Sequence, residues 1–521
     1  MGVRWRNSLA HRSSYGGASF IEAIFVDGPG WTCVIERTAM NSPYGNYIGG
    51  NWRSPTEARP NINPSNLTDT VGEFAQGSTA DVDEAVAAAQ VAFPAWSRAI
   101  PYTRSQILAK AAAELASRAQ ELGIMLAREE GKTLAEAVGE VNRAAQIFDF
   151  FAGEAIRISG ETIASLRPDV TVEITREPIG IVGIITPWNF PMGIPAWKIA
   201  AALAYGNCVV FKPADLVPAS GHALTDILIR AGIPAGVLNL VMGRGRVIGQ
   251  RIIEHRDIHA ISFTGSSSTG RMIAAGAVGG ETMKKIQLEM GGKSPLVVLD
   301  DADIENAVEC ALDGAFLGTG QRCTASSRLV VTDGIHDRFV AALKDRLAGI
   351  VVDDALKPGT HIGPVVDQGQ FEQDLSYIES ARSDGARLVS GGEALKRDHD
   401  GYYLSPALFV DASPDMRFCR EEIFGPVAGV IRVKDYDEAL AIANDTAFGL
   451  SSGICTTSLK YANDFKRNSD AGMVKVNLST SGVDFHVPFG GRKASSYGPR
   501  EQGRYALEFF TQVKTSYQLP L

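Results

Sequence analysis

The hydrophobic rhythm of the chain changes once, between residues 156 and 179. From Asp81 to about Ile156 apolar positions recur at helical spacing; after Thr103, Ile107, Ala111 and Leu115 fall on one face. Asp81 with Glu84, and Thr103 with Gln106, have the spacing of a helix N-cap and its third helical residue, so helices are expected to open there. Further on, short apolar runs bounded by Gly or Pro alternate with helical stretches: IGIVGIIT (179–186), NCVVFKP (207–213), VLNLVMG (237–243) and IHAISFTG (258–265). The rhythm resumes after residue 290 with SPLVVLD, RLVVTD, PVAGVIRV and GMVKVN. This is the βαβ pattern of parallel sheets covered by helices, and it predicts two α/β units in series. TVEITREP (171–178) instead alternates apolar and polar, as an exposed strand awaiting a partner would.

Ligands of such sheets bind beyond the carboxyl ends of the strands, so the loops after them carry the candidate chemistry. Pro187-Trp188-Asn189-Phe190-Pro191 stiffens an amide between two prolines. A fixed amide N–H is a good oxyanion donor, although Asn189 alone reads more readily as an Asx-turn. Lys212-Pro213-Ala214-Asp215 offers a cation and an acid suited to ribose hydroxyls, or a solvated pair. Thr264-Gly265-Ser266-Ser267 presents free N–H groups to a phosphate. GRGRVIG (243–249) approaches the dinucleotide fingerprint but has Ile248 at the third glycine position. Glu289 interrupts an apolar stretch before two glycines; a desolvated Glu there would act as a base near neutral pH, and an exposed one would do nothing. Cys323, in GQRCTASSR, follows 323 − 289 = 34 residues later and reads as a nucleophile or as buried filler.

Charge narrows the field. Fifty Lys and Arg against 59 Asp and Glu give a net charge of −9, so a nucleic-acid partner has no electrostatic footprint. No run of about 18 apolar residues is present, which argues against a membrane span. The six cysteines form no CxxC pair, so neither a structural zinc nor a disulfide framework is expected, and a reducing, cytoplasmic compartment fits. His255 and His259 lack a third ligand, so no metal site is expected. Residues 1–39, rich in Arg and Ser at their start, are expected to be a disordered extension or the product of a start codon assigned too early.

LEMGGKSP (288–295), the 34-residue interval and GQRCTASSR closely resemble the aldehyde dehydrogenase superfamily. So do PWNFP (187–191), FKPAD (211–215), FTGSSSTG (263–270), EEIFGPV (421–427) and PFGGRKASSYGPREQG (488–503), in order, from about residue 44 to the end. The resemblance implies two Rossmann-type parallel-sheet domains and a small β oligomerisation arm. The NAD(P)-binding domain would span 40–160 and 179–289, the catalytic domain 290–485, and the arm 161–178 with 486–521, giving a homodimer or homotetramer.

The resemblance also implies roles. Cys323 would attack the aldehyde, Asn189 and the Cys323 N–H would hold the oxyanion, and Glu289 would activate the hydrolytic water. Trp188, Lys212, Asp215, Gly265, Ser266, Glu422 and Phe424 would bind NAD; Asp215, where many NAD-preferring relatives carry Glu, leaves NADP possible. Phe190, Trp197 and Phe489 would wall the substrate tunnel. Arg322 beside the nucleophile would grip a remote carboxylate or would salt-bridge a neighbour. The C-terminal motif resembles the branch that oxidises 2,5-dioxopentanoate (α-ketoglutaric semialdehyde) to 2-oxoglutarate. The alternatives are a broad-specificity aliphatic or aromatic aldehyde dehydrogenase, or another semialdehyde such as succinate semialdehyde.

Overall fold

Four helices, Thr79–Ser97, Pro101–Ser117, Ala119–Glu130 and Leu134–Glu154, fill the region expected to be helical. The computed structural model describes residues 43–520, so the expectation for residues 1–39 lies outside it. The helix starts differ from those read off the capping pairs. Ser78, not Asp81, caps the first helix, and Asp81 is the third residue of that capping box, its carboxylate accepting the Ser78 N–H at 2.7 Å. The second helix opens at Pro101, whose fixed φ suits a first helical position, so Thr103 lies inside the first turn and caps nothing. Thr133 and Glu136 form a second full box at the head of Leu134–Glu154.

The first sheet has five parallel strands at its heart. Leu238–Leu240, Cys208–Lys212, Ile181–Ile185, Ala260–Thr264 and Lys285–Glu289 lie in that spatial order, which is 3-2-1-4-5 in chain order. The first four are buried throughout, which is why they read as continuous apolar runs rather than as alternation. Strand order reverses between Ile181–Ile185 and Ala260–Thr264, and the loops after both strands open at that switch point.

The second sheet runs Arg387–Ser390, Ala407–Val410, Val427–Val433, Arg328–Thr332, Pro295–Val298, Ser451–Cys455, Met473–Val476, parallel except at the Arg387–Ser390 edge. Its two faces bury separate apolar clusters, one around Phe316 and Phe339, the other around Phe409 and Phe418. At roughly 1.5–3 kcal/mol per fully buried large apolar side chain, these faces hold the sheet flat enough to present its loops.

A third, three-stranded antiparallel sheet joins Glu161–Ala164, Thr171–Pro178 and Thr511–Gln518. TVEITREP is thus a strand, with its partner at the C-terminus. The rest of the segment from residue 486 does not belong to this arm. Ser496–Tyr497 adds to the first sheet beside Leu288 and Glu289, and Phe489 pairs with Glu501. The reason is chemical: Ser496 and Glu501 bring polar groups to a buried glutamate.

Candidate active site

Cys323 is delivered by an unusual turn. Gly318, Thr319 and Gly320 take φ of 63°, 57° and 63° after the helix Ile304–Ala315, winding the chain left-handed just before Cys323. A β-branched residue in that region costs roughly 1–3 kcal/mol, and buried Thr319 is held there by its hydroxyl on the Gly363 carbonyl at 3.2 Å. The turn drives the Cys323 carbonyl against Gly292, where any Cβ would sit 2.2 Å from that oxygen. Here glycine is required by close approach.

The thiol is desolvated and faces the fields of Glu422 and Glu289, which together push it up to about 12; its own N–H and that of Thr324 work in the opposite sense. Glu289 ends its strand 2% exposed. Burial, then the charge of Glu501, holds its carboxyl well above the usual range, opposed by a hydrogen bond from Ser496 and by Lys198 and Arg500. This is the desolvated Glu that the sequence suggested.

Asn189 is no Asx-turn. Its Nδ2 donates to the Gln321 carbonyl at 2.9 Å, two residues before Cys323, and the Lys132 ammonium clamps its own carbonyl at 2.7 Å. An amide nitrogen has two N–H bonds, so one remains for an oxyanion. Lys132 is in turn fixed by Glu140 at 2.6 Å, whose other oxygen accepts the Met192 and Gly193 N–H groups. The loop is therefore positioned by a buried ion pair on the helix Leu134–Glu154.

Two further residues were missed. Lys198 and Glu501 form a fully buried ion pair. Lys198 also reaches Ser262 at 3.0 Å, and Glu501 takes the Trp197 indole N–H at 2.6 Å. The pair adjoins Glu289 electrostatically. A lysine in the apolar helix Gly193–Ala204 was the available signal, since buried lysines are almost always paired.

The cofactor candidates gather at the switch point. Ser266 caps the helix Ser267–Gly279, and the hydroxyls of Thr264 and Ser267, buried there, have no partner. The Gly265 N–H, expected to face the phosphate, is instead taken by the Glu289 carbonyl at 3.0 Å, so the helix start with its orphaned hydroxyls is what fits a diphosphate. Buried Lys212 reaches Asp215 at 2.6 Å, leaving the second carboxylate oxygen of this half-exposed acid for a ribose. Glu422 accepts the Gly292 N–H at 2.9 Å, and burial lifts it to about 7. A Cβ at Gly291 would strike its carboxylate at 1.9 Å, so the two are in contact across the cleft. Phe424, at φ 67°, sets its ring edge-on to Trp188 at 5.2 Å. The residues present thus fit a nicotinamide dinucleotide.

The substrate candidates divide. Trp197 and Phe489 meet at 5.6 Å with their rings tilted by 31°, and Phe190 lies under the Lys132 ammonium at 4.2 Å. Arg322 lines a small cavity with Asn189 and Phe190, but its guanidinium is bound to Glu136 at 3.1 Å and Asp313 at 3.2 Å. Of its two readings, gripping a substrate carboxylate or bridging to neighbours, the structure has the second, because two acids already neutralise it. His259 accepts the Ile181 N–H through Nδ1, a backbone role.

A model of the aldehyde dehydrogenase family matches residues 52–516. The α-ketoglutaric semialdehyde dehydrogenase of Bacillus subtilis is 44% identical over 92% of this chain and 98% of its own length. The 2,5-dioxopentanoate dehydrogenase of Saccharolobus solfataricus is 41% identical over 88% and 95%. Among solved structures, the betaine aldehyde dehydrogenase of Staphylococcus aureus in complex with NAD+ superposes with a TM-score of 0.89 at 32% identity, covering 92% of this chain and 95% of that one. An Escherichia coli NADP-dependent enzyme gives 0.88 at 35%, covering 92% and 98%. The chain therefore belongs to the aldehyde dehydrogenase family, and is an oxidoreductase that oxidises an aldehyde with a nicotinamide dinucleotide.

Proposed function

We propose that this enzyme oxidises 2,5-dioxopentanoate to 2-oxoglutarate through a Cys323 thioester, with NAD as the preferred acceptor, as a homodimer or homotetramer in the cytoplasm. The observation that carries the substrate is the pair of relatives at 41–44% identity that are named for this semialdehyde. Chemistry follows from the chain's own groups. The Cys323 thiol gives up its proton to Glu289 as its sulfur attacks the aldehyde carbon, and the spare N–H of Asn189 with the Cys323 N–H holds the oxyanion. The bound dinucleotide supplies a hydride acceptor. Lys212, Asp215, Gly265, Ser266, Trp188, Glu422 and Phe424 would hold it. Glu289 takes a proton from the water that cleaves the thioester, its buried carboxylate binding that proton more tightly than an exposed Glu would. The Lys198–Glu501 pair beside it offers the proton a further buried carboxylate. The remaining oxygen of Asp215 supports the NAD preference, since a 2′-phosphate would meet its charge.

Five cysteines, Cys208, Cys310, Cys323, Cys419 and Cys455, are free thiols, which supports a reducing compartment. The exposed apolar side chains Ile163, Leu166, Val513 and Tyr517 on and beside the three-stranded sheet support oligomer formation. The test is nucleotide reduction with 2,5-dioxopentanoate against pentanal at equal enzyme. A kcat/KM at least about 100-fold higher for the semialdehyde is expected, roughly 2.7 kcal/mol in the transition state. Equal values would leave a generalist aldehyde dehydrogenase.

A further inference from the structure

We infer that Arg143 is the residue that holds the remote carboxylate of an anionic aldehyde, and so sets substrate specificity; this rests on the semialdehyde reading above. Arg143 lies on the helix Leu134–Glu154, whose Glu136 and Glu140 already frame the site. Those three residues fall at i, i+4 and i+7, on one face of the helix. Glu136 meets Arg322, the neighbour of Cys323, and Glu140 anchors the loop behind Asn189. Arg143 is therefore about 10 Å along the axis from the residue that contacts the nucleophile's neighbour. From aldehyde carbon to carboxyl carbon the extended substrate spans roughly 5 Å, and an arginine side chain covers the rest.

Its surroundings differ from those of three other cations near the site. Lys132 is held by Glu140, Lys198 by Glu501, and Arg322 by Glu136 and Asp313. Half-buried Arg143 has, among the described residues, no carboxylate partner and no hydrogen bond. Its guanidinium carbon instead lies 5.9 Å from the centroid of the Phe485 ring, which stands edge-on to Phe150 at 6.1 Å. Phe485 is four residues before Phe489, in the segment whose far end meets Trp197. A guanidinium set on an aromatic face keeps all five N–H bonds in its plane for a carboxylate, and the ring excludes water from one side. Such a group is suited to a planar anion and indifferent to a methyl terminus.

The test uses the whole enzyme with R143M and R143K. Wild type is expected to prefer 2,5-dioxopentanoate over pentanal, and R143M to lose at least tenfold in kcat/KM on the semialdehyde, mainly through KM. Pentanal oxidation should change less than twofold, and R143K should recover part of the loss. Glutarate, an unreactive dicarboxylate, should compete against pentanal in wild type, with its inhibition constant at least tenfold weaker in R143M. Because this reading uses pentanal, it does not depend on which aldehyde is native. Equal losses on both aldehydes, or unchanged glutarate inhibition in R143M, would overturn the role of Arg143. A wild type that ignores the distinction between the aldehydes would overturn the semialdehyde reading instead, while loss of glutarate inhibition in R143M would still support an anion site at Arg143.

Discussion

Cys323 and Glu289 each sit where burial favours the uncharged form, and that sets testable pH behaviour. The free enzyme's thiol is pushed up to about 12, above an ordinary cysteine. A raised thiol is protonated, and so unreactive, through the neutral range. Alkylation of Cys323 by iodoacetamide should therefore be slower at pH 7 than for an exposed cysteine and rise about tenfold per pH unit past pH 9. A plateau by pH 8 would contradict this. E289Q keeps the volume of Glu289 and removes its proton acceptor. It should give a pre-steady-state burst near one nucleotide reduced per site, followed by turnover slowed roughly 10²–10⁴-fold. R322M, by contrast, should leave the ratio of kcat/KM for semialdehyde over pentanal within twofold while lowering the melting temperature, since Arg322 bridges Glu136 and Asp313.

At the level of elements, the first helix offers a direct check on its start. S78A should lower stability by about 1 kcal/mol in denaturant unfolding, while T103A should be near neutral, because Ser78 caps and Thr103 does not. The buried parallel strands were plain in the sequence because both faces are covered, and a short apolar run between turn residues then has one reading. Capping pairs were less legible, since Asp and Thr at three-residue spacing occur in a first turn as readily as before it. The left-handed turn at Gly318–Gly320 was invisible: nothing local marks Thr319 for positive φ, and only its tertiary bond to Gly363 holds it there. The burial of Glu289 before its two glycines could be read from the sequence, because a lone acid in an apolar stretch is a plain signal. The pairing of Lys198 with Glu501 could not, because the two are 303 residues apart. Arg322 shows the same limit: proximity to Cys323 in sequence says nothing about which way a long side chain turns.

For the whole molecule, the three-stranded sheet is the part most open to partners. The strand Thr511–Gln518 is exposed at every position after Thr511, an unusual state for a strand bearing Val513 and Tyr517. Removing residues 511–521 should abolish the proposed dimer or tetramer in light scattering, and full-length protein that is already monomeric at micromolar concentration would refute that proposal. Within one chain, the hydrogen bond from the Asn189 side chain to the Gln321 carbonyl links a loop of the first sheet to the turn presented by the second. The proposed oxyanion donor thus keeps its orientation only while the two sheets stay docked. Heat should therefore extinguish turnover before it dissolves either sheet, so the enzyme's own catalytic rate becomes a thermometer for the seam between its halves, reading a loosening that circular dichroism would not yet register.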